Sequence, residues 1–204
     1  MDWQAIHILD QQCTLALNGI YSGFTDPIMR FFSNIPIWVP MYIIVAAALF
    51  LRLGWKKALI VIASIALTFL CCDQLSNLVK VSVARLRPCH DPYMIENGVR
   101  LLEKAGGAYG FFSGHAANSF GFAVSSYMGF RNDRRLKYRG YSYWIFFWCT
   151  MVSISRIFVG KHYIGDVIIG ACIGAAVGFL FALAARYLIS KMKAPCKGAF
   201  TNQQ

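Results

Sequence analysis

Five stretches of this 204-residue chain are too apolar to be left in water, and they restrict its fold more than any other feature. They cover about residues 36–53, 58–78, 113–130, 141–155 and 167–189. A helix that crosses a membrane takes roughly 17–25 mostly apolar residues, and in lipid only helices and closed barrels satisfy the backbone. Runs of this length predict helices, so the expected fold is all-α: an integral membrane bundle of five transmembrane helices. The fourth run is short and borrows from flanking residues such as Ile157 and Val159. Polar residues inside the second and third runs, among them Asp73, Asn77, His115 and Asn118, must sit near helix ends or face the bundle interior. Composition agrees with this reading: 57% of residues are hydrophobic and 14% charged, against ~45–50% and ~25% in soluble domains. A disordered or extended polar chain is excluded on the same ground.

Residues 1–30 differ from the rest. Ile6, Ile8, Leu9, Leu15, Leu17, Ile20 and Tyr21 are interleaved with polar residues, and Gly23 and Pro27 break the pattern. This predicts an amphipathic helix lying in the membrane interface. A six-span version would use the same segment as a further crossing; five is preferred. The first residues begin acidic and lack the basic stretch of a secretory signal. The expected organisation is therefore an amphipathic segment at 1–30, a membrane domain at 31–190 and a basic tail at 191–204.

The net charge of +11 is unevenly placed. Arg52, Lys56 and Lys57 fill the first connection. Arg131, Arg134, Arg135, Lys137 and Arg139 fill the third, and Lys191, Lys193 and Lys197 follow the last run. With five spans these regions share one side, and the positive-inside rule makes that side cytoplasmic. Residues 79–112 and 156–166 then lie outside. A nucleic-acid role would need a soluble basic face, and none is apparent. Seven cysteines include no C-x-x-C pair, so neither zinc nor thioredoxin-like chemistry is indicated. A Cys13–Cys89 disulfide is the one pairing the outer side would allow, and it is not expected.

Three clusters sit at the outer ends of the spans. Lys80 and Arg87-Pro88 follow the second, Ser113-Gly114-His115 open the third, and Ser155-Arg156-x5-His162-x3-Asp166 join the fourth to the fifth. On a helix, His162 and Asp166 would share a face. A carboxylate on one ring nitrogen sets the tautomer and frees the other to attack. Ser113 fits an N-cap, Gly114 admits close approach of a ligand, and a helix N-terminus presents free N–H groups to an anion. His115, in the first turn, is placed to give a proton to a leaving group. Lys80, Arg87 and Arg156 supply three cations for one anion, while Asp166 is the single carboxylate. A Mg²⁺ or two-metal site needs more oxygen ligands, so no metal and no cofactor is expected. Arg85 reads as a fourth phosphate contact or as a headgroup or solvent contact. Asp73, two turns before Lys80, reads as part of a polar network beneath the site or as a structural pairing. The aromatic run 141–148 reads as a lipid-facing belt. The segment 106–110 reads as a flexible approach to the third span.

These residues resemble the type 2 phosphatidic acid phosphatase family of membrane lipid phosphatases. The resemblance rests on KVSVARLRP (80–88), FSGH (112–115) and SRIFVGKHYIGD (155–166), and covers about residues 60–190. It implies a helical bundle with a metal-independent phosphatase site at the outer surface of a cytoplasmic (inner) membrane, acting on a lipid phosphate or diphosphate. Carried over residue by residue, His162 would form a phosphohistidine, Asp166 would orient it and His115 would protonate the leaving group. Lys80, Arg87, Ser113, Gly114 and Arg156 would hold the phosphoryl oxygens. The substrates that fit are phosphatidate, phosphatidylglycerol phosphate, undecaprenyl diphosphate and lipid A phosphates. Phe112 stands where the family usually has proline, which affects the stiffness of the turn but removes no reacting atom. The alternative is a non-catalytic lipid-binding or transport protein that keeps the fold; the intact His115 and His162–Asp166 speak against it.

Overall fold

The computed structural model describes residues 2–192 and is all-helical apart from one isolated Leu86–Tyr109 bridge. The tail residues 193–204, with Lys193 and Lys197, lie outside the described residues. Eight α-helices follow in order: α1 (Trp3–Asn18), α2 (Thr25–Ser33), α3 (Val39–Leu53), α4 (Trp55–Val83), α5 (Pro92–Glu96), α6 (Gly114–Phe130), α7 (Arg139–Phe158) and α8 (Ile164–Lys191). A 3₁₀ turn, Ile35–Trp38, leads into α3, with Pro36 at its start.

Among the described residues, three helical segments are long and apolar enough to cross a membrane: Ile35–Leu53, Trp55–Val83 and Ile164–Lys191. α6 and α7 occupy the third and fourth runs but fall short of that measure. α6 is the shorter of the two, at 17 residues, and its composition follows its packing. α6 is the bundle's centre, in contact with α4, α7 and α8, and it buries Ala116, Ala117, Ser119, Gly121, Ser125 and Ser126. A helix shielded from lipid by its neighbours gains more from small side chains than from large apolar ones.

The α6–α8 contact shows why. Gly170, Gly174 and Gly178 recur every four residues on α8. A Cβ on Gly174 would stand 2.0 Å from the Ala117 carbonyl oxygen, and one on Gly178 2.5 Å from that of Gly121. Only glycine lets the two backbones meet at this distance. The rest of the core is aromatic: Trp148 is fully buried against Trp38, Tyr42 and Phe122, at centroid distances of 5.7–6.0 Å.

The basic connections do share one end of the bundle. Asp133, buried, takes Arg52 at 2.9 Å and Arg135 at 2.7 Å, and Arg135 also donates to the Arg52 carbonyl. At this end α3–α4 and α6–α7 are tied together.

Where one amphipathic helix is expected in residues 1–30, two helices form, α1 and an α2 that runs on to Ser33, and the buried face of α1 is polar. Gln11, Thr14 and Asn18 face the protein, while Trp3, Leu9 and Ile20 are exposed. The Asn18 amide donates to the carbonyls of Arg100, Ile157 and Phe158 and accepts from the Arg100 N–H. α1 therefore closes free backbone groups at the α7–α8 turn, and its Leu17 packs against Ala116, Ile157 and Val167. Cys13 and Cys89 are both free thiols.

Candidate active site

At the bundle end opposite the Asp133 cluster, α4, α6 and α7, the loops carrying Arg87 and Lys161–His162, and residues of α2, the 3₁₀ turn and α3 surround a cavity of about 480 Å³. Lys80, Arg87, Gly114, His115, Arg156 and His162 line it, so six of the eight residues singled out from the sequence converge there. Ser113 does not line it. Its side chain is fully buried and caps α6, accepting from the Ala116 N–H at 3.4 Å, while its own N–H donates to the Asp166 carbonyl at 3.0 Å. Asp166 stands behind His162, with no exposure.

His162 and Asp166 do not lie on one helix as their spacing suggested. α8 begins at Ile164, and the extended Tyr163 is its N-cap. Asp166 is the third residue of the helix and accepts from the Tyr163 N–H at 3.1 Å, half of a capping box. The carboxylate so held reaches back to 3.5 Å from His162 Nδ1. That is Coulomb range but not a formed hydrogen bond, and the nitrogen has no other partner. Burial, with only 3% of the ring's residue surface exposed, pushes the His162 pKa down to about 4, against the pull of Asp166. The ring is neutral near pH 7, as a nucleophile requires.

Arg85 departs from the sequence reading. It does not line the cavity; it donates to Asp166 Oδ1 and to Asp10 Oδ2, each at 2.7 Å, and stacks on the Tyr163 ring at 4.0 Å. Asp10 belongs to α1 and also accepts from the Gly165 N–H at 3.0 Å. The Asp166 carboxylate is thus divided: one oxygen to Arg85, the other to the cap and to His162. The sequence carried no signal for this, because the partners are separated by 75 and 81 residues.

Arg87 sits in a loop that is anything but slack. Its N–H donates to the Ala108 carbonyl and its Nε to that of Tyr109, and the Gly110 N–H donates to the Arg85 carbonyl. Gly106 takes a positive φ of 73°, and a Cβ there would stand 3.1 Å from Arg87 Nη1. The expected flexible approach is a wrap around the Arg87 side chain.

Arg156 is 3% exposed, contacts Ser33 of α2 through Nη1, and lies 3.6 Å from Glu103. Its Nε is buried without a partner. Lys161, without a role in the sequence reading, also lines the cavity and pairs with Glu103 at 2.8 Å. Burial would raise the Glu103 carboxyl, but Lys161 and Ser33 hold it below the usual carboxylate range. Phe112 is fully buried beside Cys72 and Ala117. It anchors the Ser-Gly-His turn by packing, where a proline would do so by its ring. Among the described residues no three His, Cys, Asp or Glu side chains converge as a metal set.

The cavity changes character along its length. Cations and histidines stand at the mouth. Asp73, Asn118 and Ser119 follow, and Phe32, Ile35, Trp38, Tyr42, Phe69 and Trp148 form the apolar wall. Asp73 is a cavity residue and accepts from the Asn118 amide at 2.7 Å, so it is paired across to α6. The aromatic run of α7 is divided: Tyr143, Trp144 and Phe147 are exposed, but Trp148 turns inward. An anion-binding mouth above an apolar channel suits a lipid carrying a phosphate.

Comparison with known proteins agrees. The chain is 38% identical over 201 residues to a lipid A 4'-phosphatase of Bacteroides thetaiotaomicron, covering 96% of this chain and 87% of that one. It is 34% identical over 171 residues to a lipid A 4'-phosphatase of Porphyromonas gingivalis, covering 83% and 70%. The fold matches the crystal structure of a transmembrane PAP2-type phosphatidylglycerolphosphate phosphatase from Bacillus subtilis, with a TM-score of 0.65 at 20% identity over 93% of this chain and 88% of that one. Residues 57–190, which carry all three motifs, match the PAP2 superfamily, and the chain belongs to that family.

Proposed function

We propose that this chain is a membrane lipid phosphatase that works without a metal, through a phosphohistidine on His162, on an acylated sugar phosphate of the lipid A type. The observation that carries the chemistry is Arg156 Nε, buried without a partner on a residue that lines the cavity, beside a His162 whose Nδ1 is turned toward Asp166 and whose Nε2 is left to attack. A buried donor without an acceptor is costly, and a phosphoryl oxygen would supply one to Arg156. Lys80 and Arg87 offer further donors to the same anion.

In the first half-reaction His162 Nε2 attacks phosphorus, and the bond to the leaving lipid oxygen breaks. His115 gives that oxygen a proton. Asp166 stabilises the positive imidazole that forms, closing the 3.5 Å gap as charge develops. In the second, water attacks the phosphohistidine, His115 takes its proton, and inorganic phosphate leaves. Charge stabilisation by fixed cations in a water-poor cavity does the work a metal would otherwise do.

The substrate assignment draws on the two relatives named as lipid A 4'-phosphatases. The proposed topology is five spans, α3, α4, α6, α7 and α8, in the inner membrane. The Asp133 end faces the cytoplasm and the cavity faces the periplasm; charge bias supports this orientation.

The test is phosphate release by purified protein from lipid A, phosphatidate, phosphatidylglycerol phosphate and undecaprenyl diphosphate, with and without excess EDTA. Release from lipid A that survives EDTA and vanishes in His162→Ala is expected. Loss on chelation, restored by Mg²⁺, would overturn the metal-free reading.

A further inference from the structure

The middle of the cavity holds polar atoms that phosphoryl transfer does not use. Seven residues, about 10 Å along a helix, separate Asp73 from Lys80. An ionisable side chain at that depth in a membrane helix is costly unless it faces a cavity or a partner. Asn118 gives Asp73 one hydrogen bond, and no described residue bonds its Oδ2. Asn118 Oδ1 is buried with no partner at all. Ser119 spends its hydroxyl proton on the Ala116 carbonyl, leaving only lone pairs. All three are cavity residues, and what they leave open are acceptors. On the facing helix α7, the Trp148 indole nitrogen is a buried donor without a partner.

We infer that Asp73, Asn118 and Trp148 form a headgroup subsite that recognises a hydrogen-bonding group, a hydroxyl or an amide, carried by the leaving lipid about 10 Å from its phosphate. The subsite rests on the phosphatase reading above and narrows its substrate class. An amide or a hydroxyacyl group presents an N–H or O–H to Asp73 and Asn118 and a carbonyl to Trp148. An N-acylated amino sugar carries such groups on its amide and hydroxyacyl chains, which extend to about that distance from its phosphate. Phosphatidate has ester carbonyls but no donor there. A polyprenyl diphosphate would bring either bare hydrocarbon or a second negative group toward Asp73, and the carboxylate would repel the latter. The cavity thus sorts lipid phosphates by what lies beneath the phosphate, leaving the phosphate itself to the cations at the mouth.

The experiment compares kcat/KM for lipid A and for phosphatidate, in the same detergent, for wild type, Asp73→Ala and Asn118→Ala. Wild type is expected to prefer lipid A. Each variant should lower the lipid A to phosphatidate ratio at least tenfold, mainly through a higher KM for lipid A. Should Asp73→Ala fail to fold, Asp73→Asn and Asn118→Ala read the same ratio. Equal losses on both lipids mean that Asp73 acts through Lys80 or through the bundle, and overturn the inference. So does a wild-type enzyme that shows no preference. A wild-type protein that releases phosphate from no lipid sinks the phosphatase reading itself, whereas an active enzyme with unchanged ratios sinks the subsite alone.

Discussion

Arg85→Met removes the cation that shares Asp166 with His162, and it should change the pH profile before it changes anything else. In the structure Arg85 Nη1 is 2.7 Å from Asp166 Oδ1, and Asp166 Oδ2 is 3.5 Å from His162 Nδ1. The guanidinium therefore lies roughly 6–7 Å from the imidazole, worth ~2.5 kcal/mol at an effective dielectric of ~20. Arg85 is partly solvated, with its side chain 18% exposed; halving the figure for screening leaves about one pKa unit. Without that positive neighbour, Asp166 acts on His162 alone, so the imidazolium is favoured. The His162 pKa should rise from about 4 toward 5 or above. The acid limb of kcat/KM should move up by about one unit, and kcat should fall about tenfold to a hundredfold as the carboxylate loses its fixed orientation. The assay is phosphate release from pH 3.5 to 8, with Arg85→Lys as the conservative rescue. An acid limb that stays in place while activity drops would refute the electrostatic argument and make Arg85 a structural clamp between α1 and α8.

Further predictions rest on other contacts. His115→Ala should lose ~10²–10⁴-fold on monoester lipids, whose alcohol leaving group needs a proton, but far less on aryl phosphates; His162→Ala should lose both alike. Equal His115→Ala losses across the series would make another group the acid. The folded His162 pKa lies below its unfolded value, so the unfolded chain binds the extra proton; the related stability is fully present above about pH 6.5 and is lost as pH falls toward 4, by about 3 kcal/mol. The thermal-inactivation midpoint in detergent should fall across that window, and the fall should be smaller in His162→Gln. Gly174→Val places carbon against the Ala117 carbonyl, at a cost of 1–3 kcal/mol or more for roughly such overpacking; lower yield and activity are expected, and a variant of wild-type stability would refute the close α6–α8 packing. In a cysteine-depleted background, Asn97→Cys should react with an impermeant maleimide in intact cells and Arg134→Cys should not; both positions are exposed, and the reverse pattern would invert the topology.

Hydropathy alone made the protein a helical membrane bundle, because a long apolar run has no other home than a helix in lipid. Short spacings defined three clusters, at 80–88, 113–115 and 155–166, and the alternation of spans together with the family resemblance put them on one side; that Lys80, Arg87, His115, Arg156 and His162 line one cavity is a matter of packing. What the sequence could not decide depends on distance across the fold. The polar face of α1 and the apolar residues around it look like any interfacial helix until Asn18 meets carbonyls 82 to 140 residues away. The Gly170, Gly174 and Gly178 stripe was visible, but its meaning needed the Ala117 and Gly121 carbonyls placed against it. Charge alone says that Asp73 needs a polar neighbour and leaves open whether it serves a network or a structural pairing; that its hydrogen bond comes from Asn118 is decided by which face of α6 turns toward α4. Arg85 is the clearest case. Beside Arg87, it carries the same charge and the same local signal, and only the fold points one at the cavity and the other at the back of Asp166. Local pattern sets helices and places residues at their ends; which side chain faces substrate and which supports it is set by tertiary packing, since that choice turns on a few ångströms between segments far apart in the chain.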